Sequence, residues 1–191
     1  TPQGLKTGTA AVLVSGLAAT LPLLDGAYYL ALGVNIMLYA ALSTAWTLFS
    51  GPTHYISLAT AAFFGLGAYA VGLGIDHLPF PLLVAIGAGC GALLAGIVGV
   101  ATLRLSGVYF VIFTLGLAEL VRQLVSWGQS KITTRMGLYV FTDFTENHIY
   151  WMLLGLTVIV FLTGWLVNRS RIGFAMQIIG NDETVARHVG I

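Results

Sequence analysis

The chain has 191 residues, of which 58% are hydrophobic and only 8% are charged, and its formal net charge is +1. Soluble domains carry roughly 25% charged residues, and the mean hydropathy here is +0.92, so the composition excludes an ordinary soluble domain and indicates an integral membrane protein. The nearly balanced charge gives no basis for nucleic-acid binding. The single cysteine, Cys90, has no partner for an internal disulfide and no metal-ligating neighbour.

Six apolar stretches approach the ~20 residues that a helix needs to cross the hydrocarbon core. They are too long, and alternate too poorly, for barrel strands, and backbone groups in lipid must be satisfied internally. The sequence therefore predicts an all-α integral membrane fold: a single domain with a bundle of about six transmembrane helices. The predicted spans are residues 9–24, 28–49, 56–75, 80–103, 109–125 and 150–167.

A broken or re-entrant segment is predicted near residues 50–60, because Gly51-Pro52 should end the second span. Irregular backbone at membrane depth is tolerated only beside protein or a water-filled cavity. A plain cytoplasmic turn with polar caps explains the same residues equally well. On the first interpretation, the polar residues that line a substrate path are Thr53, His54, Ser57 and Thr60.

Glu119 is the one acidic residue within an apolar stretch. A carboxylate at that depth costs about 3 kcal/mol or more, so it should face the protein interior with a partner. Arg122, three residues further along the same helix, is the expected partner. The pair lies either on a substrate or proton path or in a lock between helices.

Basic residues predict the orientation, because cytoplasmic loops of membrane proteins are enriched in them. With the N-terminus in the cytoplasm, the inner side holds Lys6, Arg104, Arg169, Arg171 and Arg187, against Lys131 and Arg135 outside. Residues 127–149 then form an outer loop that is long enough for a gate or a docking surface.

Residues 169–191 are predicted to form a cytoplasmic segment of two short amphipathic helices with a bend at Gly180-Asn181-Asp182. Gly180 suits a left-handed helix cap, and Glu183 and Arg187 form an i,i+4 pair. The segment should lie beside the membrane and offer a polar face to a partner.

The chain lacks a phosphate-binding loop of the Gly-x-x-x-x-Gly-Lys-Ser/Thr type, a His-Glu-x-x-His zinc motif and a Gly-x-Ser-x-Gly elbow. We therefore expect neither a catalytic site nor a metal site. An intramembrane hydrolase that uses His54 and Ser57 is a remote alternative, because no orienting acid or oxyanion hole can be assigned.

Three stretches in order carry a family resemblance. Ala45 to Tyr69 includes a glycine-rich turn and the run A-A-F-F-G-L-G-A-Y, and Leu103 to Glu119 reads L-R-L-S-G-V-Y-F-V-I-F-T-L-G-L-A-E. Ser170 to Ile191 supplies the third. Together they resemble the LivM-type permease subunits of branched-chain amino acid ABC transporters.

The resemblance implies an importer subunit of the bacterial inner membrane that carries branched-chain amino acids or related small polar solutes. Its partners would be a second homologous permease subunit, two ATPase subunits that bind ATP and Mg, and a periplasmic binding protein. The chain itself would hold no cofactor. A cavity among the third and fifth spans would make Tyr69, Thr114 and Glu119 further path residues. The implied ATPase-coupling residues are Asn181, Asp182, Glu183, Ala186 and Gly190.

The sequence departs from the family pattern at polar positions, and these departures leave the solute open. His54 stands where glycine is usual, Ala59-Thr60 replace Gly-His, Val108 replaces an aspartate, and Thr133-Thr134 replace two glycines. The alternative from another class is a self-sufficient channel or secondary transporter driven through titration of Glu119. The family's chain continues beyond Gly190-Ile191, so we expect these residues to be the N-terminal portion of a longer subunit, with exposed apolar surface where further helices pack.

Overall fold

The structure is a computed structural model that describes residues 27–75, 77–102, 105, 107–132, 144–181 and 188. Within these ranges the chain is helical and contains no strand, which confirms the all-α prediction. The helices are α1 (Ala27–Thr53), α2 (Thr60–Gly74), α3 (Phe80–Thr102), α4 (Val108–Ile132), α5 (Glu146–Arg169) and α6 (Arg171–Asn181).

Four of these helices, α1, α3, α4 and α5, are long and apolar enough to cross a membrane, whereas α2 is a shorter apolar helix. These four helices and α2 together correspond to five of the six predicted spans. The remaining one, residues 9–24, lies outside the described residues. The short α6 belongs to the predicted cytoplasmic segment.

Two predicted boundaries differ from the structure. Helix α1 runs through Pro52 to Thr53 instead of ending at Gly51-Pro52. Proline is tolerated there because it costs a hydrogen bond only in the last turn, and the Thr53 hydroxyl donates to the Phe49 carbonyl at 2.6 Å. The helix stops before His54, whose φ of +57° is left-handed.

The outer loop predicted over residues 127–149 is helical at both ends, because α4 continues to Ile132 and α5 begins at Glu146. Hydropathy marks only the apolar part of a helix, whereas the polar last turns of α4 are held by their own contacts. Gln129 is buried there, and the Ser130 hydroxyl donates to the Ser126 carbonyl at 2.9 Å.

The chain divides into two compact units. In the first, described over residues 27–54 and 144–181, α1 packs along α5, and α6 contacts both helices. The core of this unit is Tyr150, which is 0% exposed, with Met37 beside it. A Cβ at Gly33 would lie 2.8 Å from the Tyr150 ring, so the ring fits because residue 33 has no side chain. The Thr157 hydroxyl shares its proton between the Leu153 and Met37 carbonyls, at 2.8 and 3.3 Å.

In the second unit, described over residues 55–132 with gaps, α2 packs against both α3 and α4. Glycines let α2 and α3 approach closely: a Cβ at Gly87 would lie 3.8 Å from the Gly67 Cα. Leu83 of α3 is buried against Gly74 of α2. This is the small-residue packing expected between helices in lipid.

Gly33→Ala should destabilise the first unit, because the new methyl group would meet the buried ring of Tyr150. Overpacking of this kind costs typically about 1–3 kcal/mol. Thermal unfolding of the detergent-solubilised protein measures the effect as a lower midpoint. Gly96→Ala in α3 is the matched control, since a Cβ there meets no atom within 4 Å, and an equal loss in both variants would contradict the packing argument.

Candidate functional site

Helix α6 is attached to the ends of two longer helices through two glycines. A Cβ at Gly173 would lie 2.8 Å from the Asn168 Cα at the end of α5, and a Cβ at Gly180 would lie 2.9 Å from the Thr53 carbonyl carbon at the end of α1. The two glycines are seven residues apart, so they share one face of α6. Backbone therefore contacts backbone at both ends of this helix, and no larger residue fits at either position.

This face corrects two expectations. Gly180 is helical and acts through its close approach to α1, whereas a left-handed cap was predicted. The buried face of α6 is the glycine face, and the apolar side chains of Ile172 and Phe174 are exposed. A helix over Arg171–Asn181 agrees with the first of the two predicted helices. The predicted second helix and the residues Asp182, Glu183, Ala186 and Gly190 lie outside the described part of the chain.

His54 both ends α1 and contacts α6. Its Nδ1–H donates to the Gly180 carbonyl oxygen at 2.9 Å, because a carbonyl can only accept. That carbonyl belongs to the last turn of α6 as far as the helix is described, Arg171–Asn181. The side chain thus connects the end of α1 to this turn of α6.

A polar groove of about 450 Å³ lies where the ends of α1, α5 and α6 meet. Amide, hydroxyl and imidazole groups supply both hydrogen-bond donors and acceptors to it. Its lining residues are Thr47, Gly51, Pro52, His54, Asn168, Gln177 and Asn181. His54 and Asn181 are the two sequence-predicted residues that the structure brings together here.

In the second unit, the non-helical segment before α2 is fixed to α4. The Leu58 N–H donates to the Thr114 hydroxyl at 3.2 Å, and that hydroxyl donates to the Val111 carbonyl at 2.9 Å. The rings of Tyr55 and Phe110 meet edge to face, with centroids 5.1 Å apart. Thr114 is 1% exposed. In this conformation its hydroxyl anchors the segment and is closed to a solute.

The remaining predicted path residues near this segment are buried or half-buried, and Ser57 and Thr53 form hydrogen bonds with backbone groups nearby in the sequence. Ser57 is half-buried, and its hydroxyl accepts the Ala59 N–H at 3.4 Å, close to the start of α2. Thr60 is half-buried as the first residue of α2. Thr53 of the first unit is buried, with its hydroxyl bonded within α1.

Tyr69 of α2 is tied to α4 by a hydrogen bond. Its hydroxyl donates to the Gln129 Oε1 at 2.8 Å, and Gln129 is buried. A buried amide paired in this way fixes the register of two helices in lipid. Gln129 carries no distinctive signal in the sequence, because a polar residue is ordinary in a stretch that hydropathy assigns to a loop.

Glu119 pairs with Arg122, as the spacing predicts. The Arg122 Nε and Nη2 donate to the two carboxylate oxygens at 2.9 and 2.6 Å, and the Gln123 amide donates to Oε1 at 2.9 Å. Glu119 is 54% exposed and Arg122 65% exposed. Both members of the pair lie on α4.

Among the residues that the structure describes, no group of three or more His, Cys, Asp or Glu side chains is arranged to hold a metal ion. His54 and Ser57, the residues of the hydrolase alternative, have hydrogen bonds that lead to Gly180 and Ala59. These bonds hold helix ends in place. They assign no chemistry to either side chain.

Four long apolar helices and polar groups within them define a multi-pass membrane protein. Residues 28–191 match the model of the permease component of branched-chain amino acid transport systems, and the chain therefore belongs to that family. This membership supports a role in transport, and the family normally works in ABC transporter complexes. No curated protein and no solved structure matched the chain.

Thr114→Val should loosen the segment before α2, because it leaves the Leu58 N–H without its acceptor. Loss of one hydrogen bond costs about 0.5–1.5 kcal/mol, so hydrogen exchange at residues 55–59 should become faster. Thr102→Val is the control, since that hydroxyl bonds only carbonyls of its own helix. Unchanged exchange in Thr114→Val would show that the bond does not hold the segment.

Proposed function

We propose that the chain is a LivM-type permease subunit of an ABC importer, which moves branched-chain amino acids or related small polar solutes across the bacterial inner membrane. The observation that carries this proposal is the family match over residues 28–191. The four long apolar helices support it, because they supply the membrane-embedded part of such a path.

Partners provide the energy in this proposal. Two ATPase subunits bind ATP and Mg on the cytoplasmic side, a second homologous permease subunit completes the path, and a periplasmic binding protein delivers the solute. The N-terminus is cytoplasmic, in keeping with the distribution of basic residues. No catalytic residue is required of the permease itself.

The attachment of α6 suggests how an ATPase would drive the helices. Helix α6 begins two residues after α5 ends, and it contacts the end of α1 through Gly180. A displacement of α6 would therefore move α1 and α5 with it. Its glycines contact the backbone of these helices directly, and such close packing allows little relative movement. In this proposal Asn181 begins the coupling segment, which continues through Asp182, Glu183, Ala186 and Gly190.

Uptake by proteoliposomes tests the proposal. The subunit reconstituted with its permease partner, ATPases and binding protein should accumulate radiolabelled leucine only when ATP is present. Transport that persists without ATP and collapses on removal of a proton gradient would instead support a secondary transporter that uses Glu119.

Gly180→Ala should uncouple ATP hydrolysis from uptake, because a methyl group at this position would clash with the Pro52 carbonyl oxygen. If the displaced contact costs about 1.4 kcal/mol, solute moved per ATP hydrolysed should fall about tenfold. The readout is the ratio of leucine uptake to phosphate release in proteoliposomes.

Gly155→Ala in α5 is the matched control, because a Cβ there meets no atom within 4 Å. An unchanged ratio in Gly180→Ala would contradict the proposed coupling route. A parallel fall of uptake and hydrolysis would mean that assembly with the ATPases had been lost, which co-purification would reveal.

A further inference from the structure

The Glu119–Arg122 pair lies near the middle of a membrane-spanning helix. Glu119 is eleven residues from the first residue of α4 and thirteen from the last. At 1.5 Å per residue this is about 17 Å from the start of the helix, in a hydrocarbon core ~30 Å thick. A charge at that depth is unfavourable when it faces lipid, so the pair must face protein or water.

Helix α4 has two distinct faces. One face is buried in the second unit, through Phe110, Thr114 and Val121. Helical periodicity places Glu119 on the opposite face. Leu115 and Ile112, one and two turns before Glu119, continue that face and are exposed. The exposed face therefore combines an apolar half with a charged centre.

The charges of Glu119 and Arg122 balance each other, and both side chains can form further hydrogen bonds. Arg122 uses Nε and Nη2 on Glu119, and within the described part of the chain Nη1 has no partner. Glu119 Oε2 accepts one bond and can accept another. Gln123 adds a neutral amide beside the carboxylate. A donor with positive charge and an acceptor with negative charge thus lie side by side.

We infer that Glu119, Arg122 and Gln123 form a charge-balanced selectivity element on the solute path, which admits zwitterionic solutes and rejects solutes with a net charge. This inference rests on the proposed transport function. The ammonium of an amino acid would bind at Glu119 and its carboxylate at the outer edge of Arg122. Ile112 and Leu115 would contact an apolar side chain.

Electrostatics favour zwitterions at such an element. At the same distance, opposite unit charges attract as strongly as like charges repel. A solute of one sign gains this attraction from one member of the pair and loses nearly as much to repulsion by the other. A zwitterion is attracted by both members of the pair. It also has no net charge that must be removed from water when it binds.

A cysteine next to the element reports its occupancy without the binding protein, whose own specificity would otherwise mask it. Leu115→Cys is made in a Cys90→Ala background, which removes the only native thiol. In the assembled complex, a water-soluble maleimide should label this cysteine, and free leucine should slow labelling more than lysine or glutamic acid does. Lys131→Cys near the end of α4 is the positive control for labelling.

Removal of one charge should then shift selectivity in a direction set by its sign. Glu119→Gln leaves Arg122 in excess, so glutamic acid should gain protection relative to leucine by about tenfold, while Arg122→Gln should favour lysine to a similar extent. The charge-exchanged variant, Glu119→Arg with Arg122→Glu, should keep the preference for leucine. Ser130→Ala, whose hydroxyl bonds within its own helix, should match the parent.

The inference is overturned if the two single variants shift in the same direction, or if neither shifts. It is also overturned if the cysteine at position 115 stays unlabelled while that at position 131 reacts, because the face is then covered by protein. If the single variants do not assemble, the charge-exchanged variant alone decides. The inference is then overturned if that variant assembles but no longer prefers leucine. Failure of the proposed function is distinguishable, since ATP-dependent uptake would then be absent in the parent itself.

Discussion

The arrangement of the first unit depends on one constraint, the contact of Gly180 with the backbone at the end of α1. Its counterpart is Gly173, which lies against the end of α5 two helical turns away. Between α5 and α6 the Ser170 hydroxyl donates to the Val167 carbonyl at 2.7 Å. Helix α6 is therefore fixed at its start by a tight turn and near its end by a glycine contact, so it follows the two long helices as one body.

His54 completes this arrangement at some conformational cost. A left-handed φ costs a residue with a Cβ roughly 1–2 kcal/mol, whereas a hydrogen bond returns about 1 kcal/mol. Glycine would adopt the same φ without strain but would offer no donor to the Gly180 carbonyl. The end of α1, the strained residue and the bond to α6 therefore depend on one another.

Local patterns in the sequence predict what depends on neighbouring residues alone. Hydropathy identified α1, α3, α4 and α5 to within several residues at each end, and the i,i+3 spacing identified the Glu119–Arg122 pair. The features that these local patterns did not predict depend on contacts between residues distant in sequence. The burial of Thr114 requires the segment before α2, Gln129 requires Tyr69, and the role of Gly180 requires α1. The seven-residue spacing of Gly173 and Gly180 was the one signal that could have indicated the docked face.

The packing of α1 on α5 also sets an order of events during synthesis. Thr157 reaches the Met37 carbonyl across 120 residues of chain, and the whole second unit is encoded between them. At about 5–20 residues per second, a ribosome needs on the order of ten seconds to make that stretch. The face of α1 that contains Gly33 is therefore exposed in the bilayer, without Tyr150 packed on it, while α2, α3 and α4 are inserted. During this interval a chaperone, or lipid alone, must shield it.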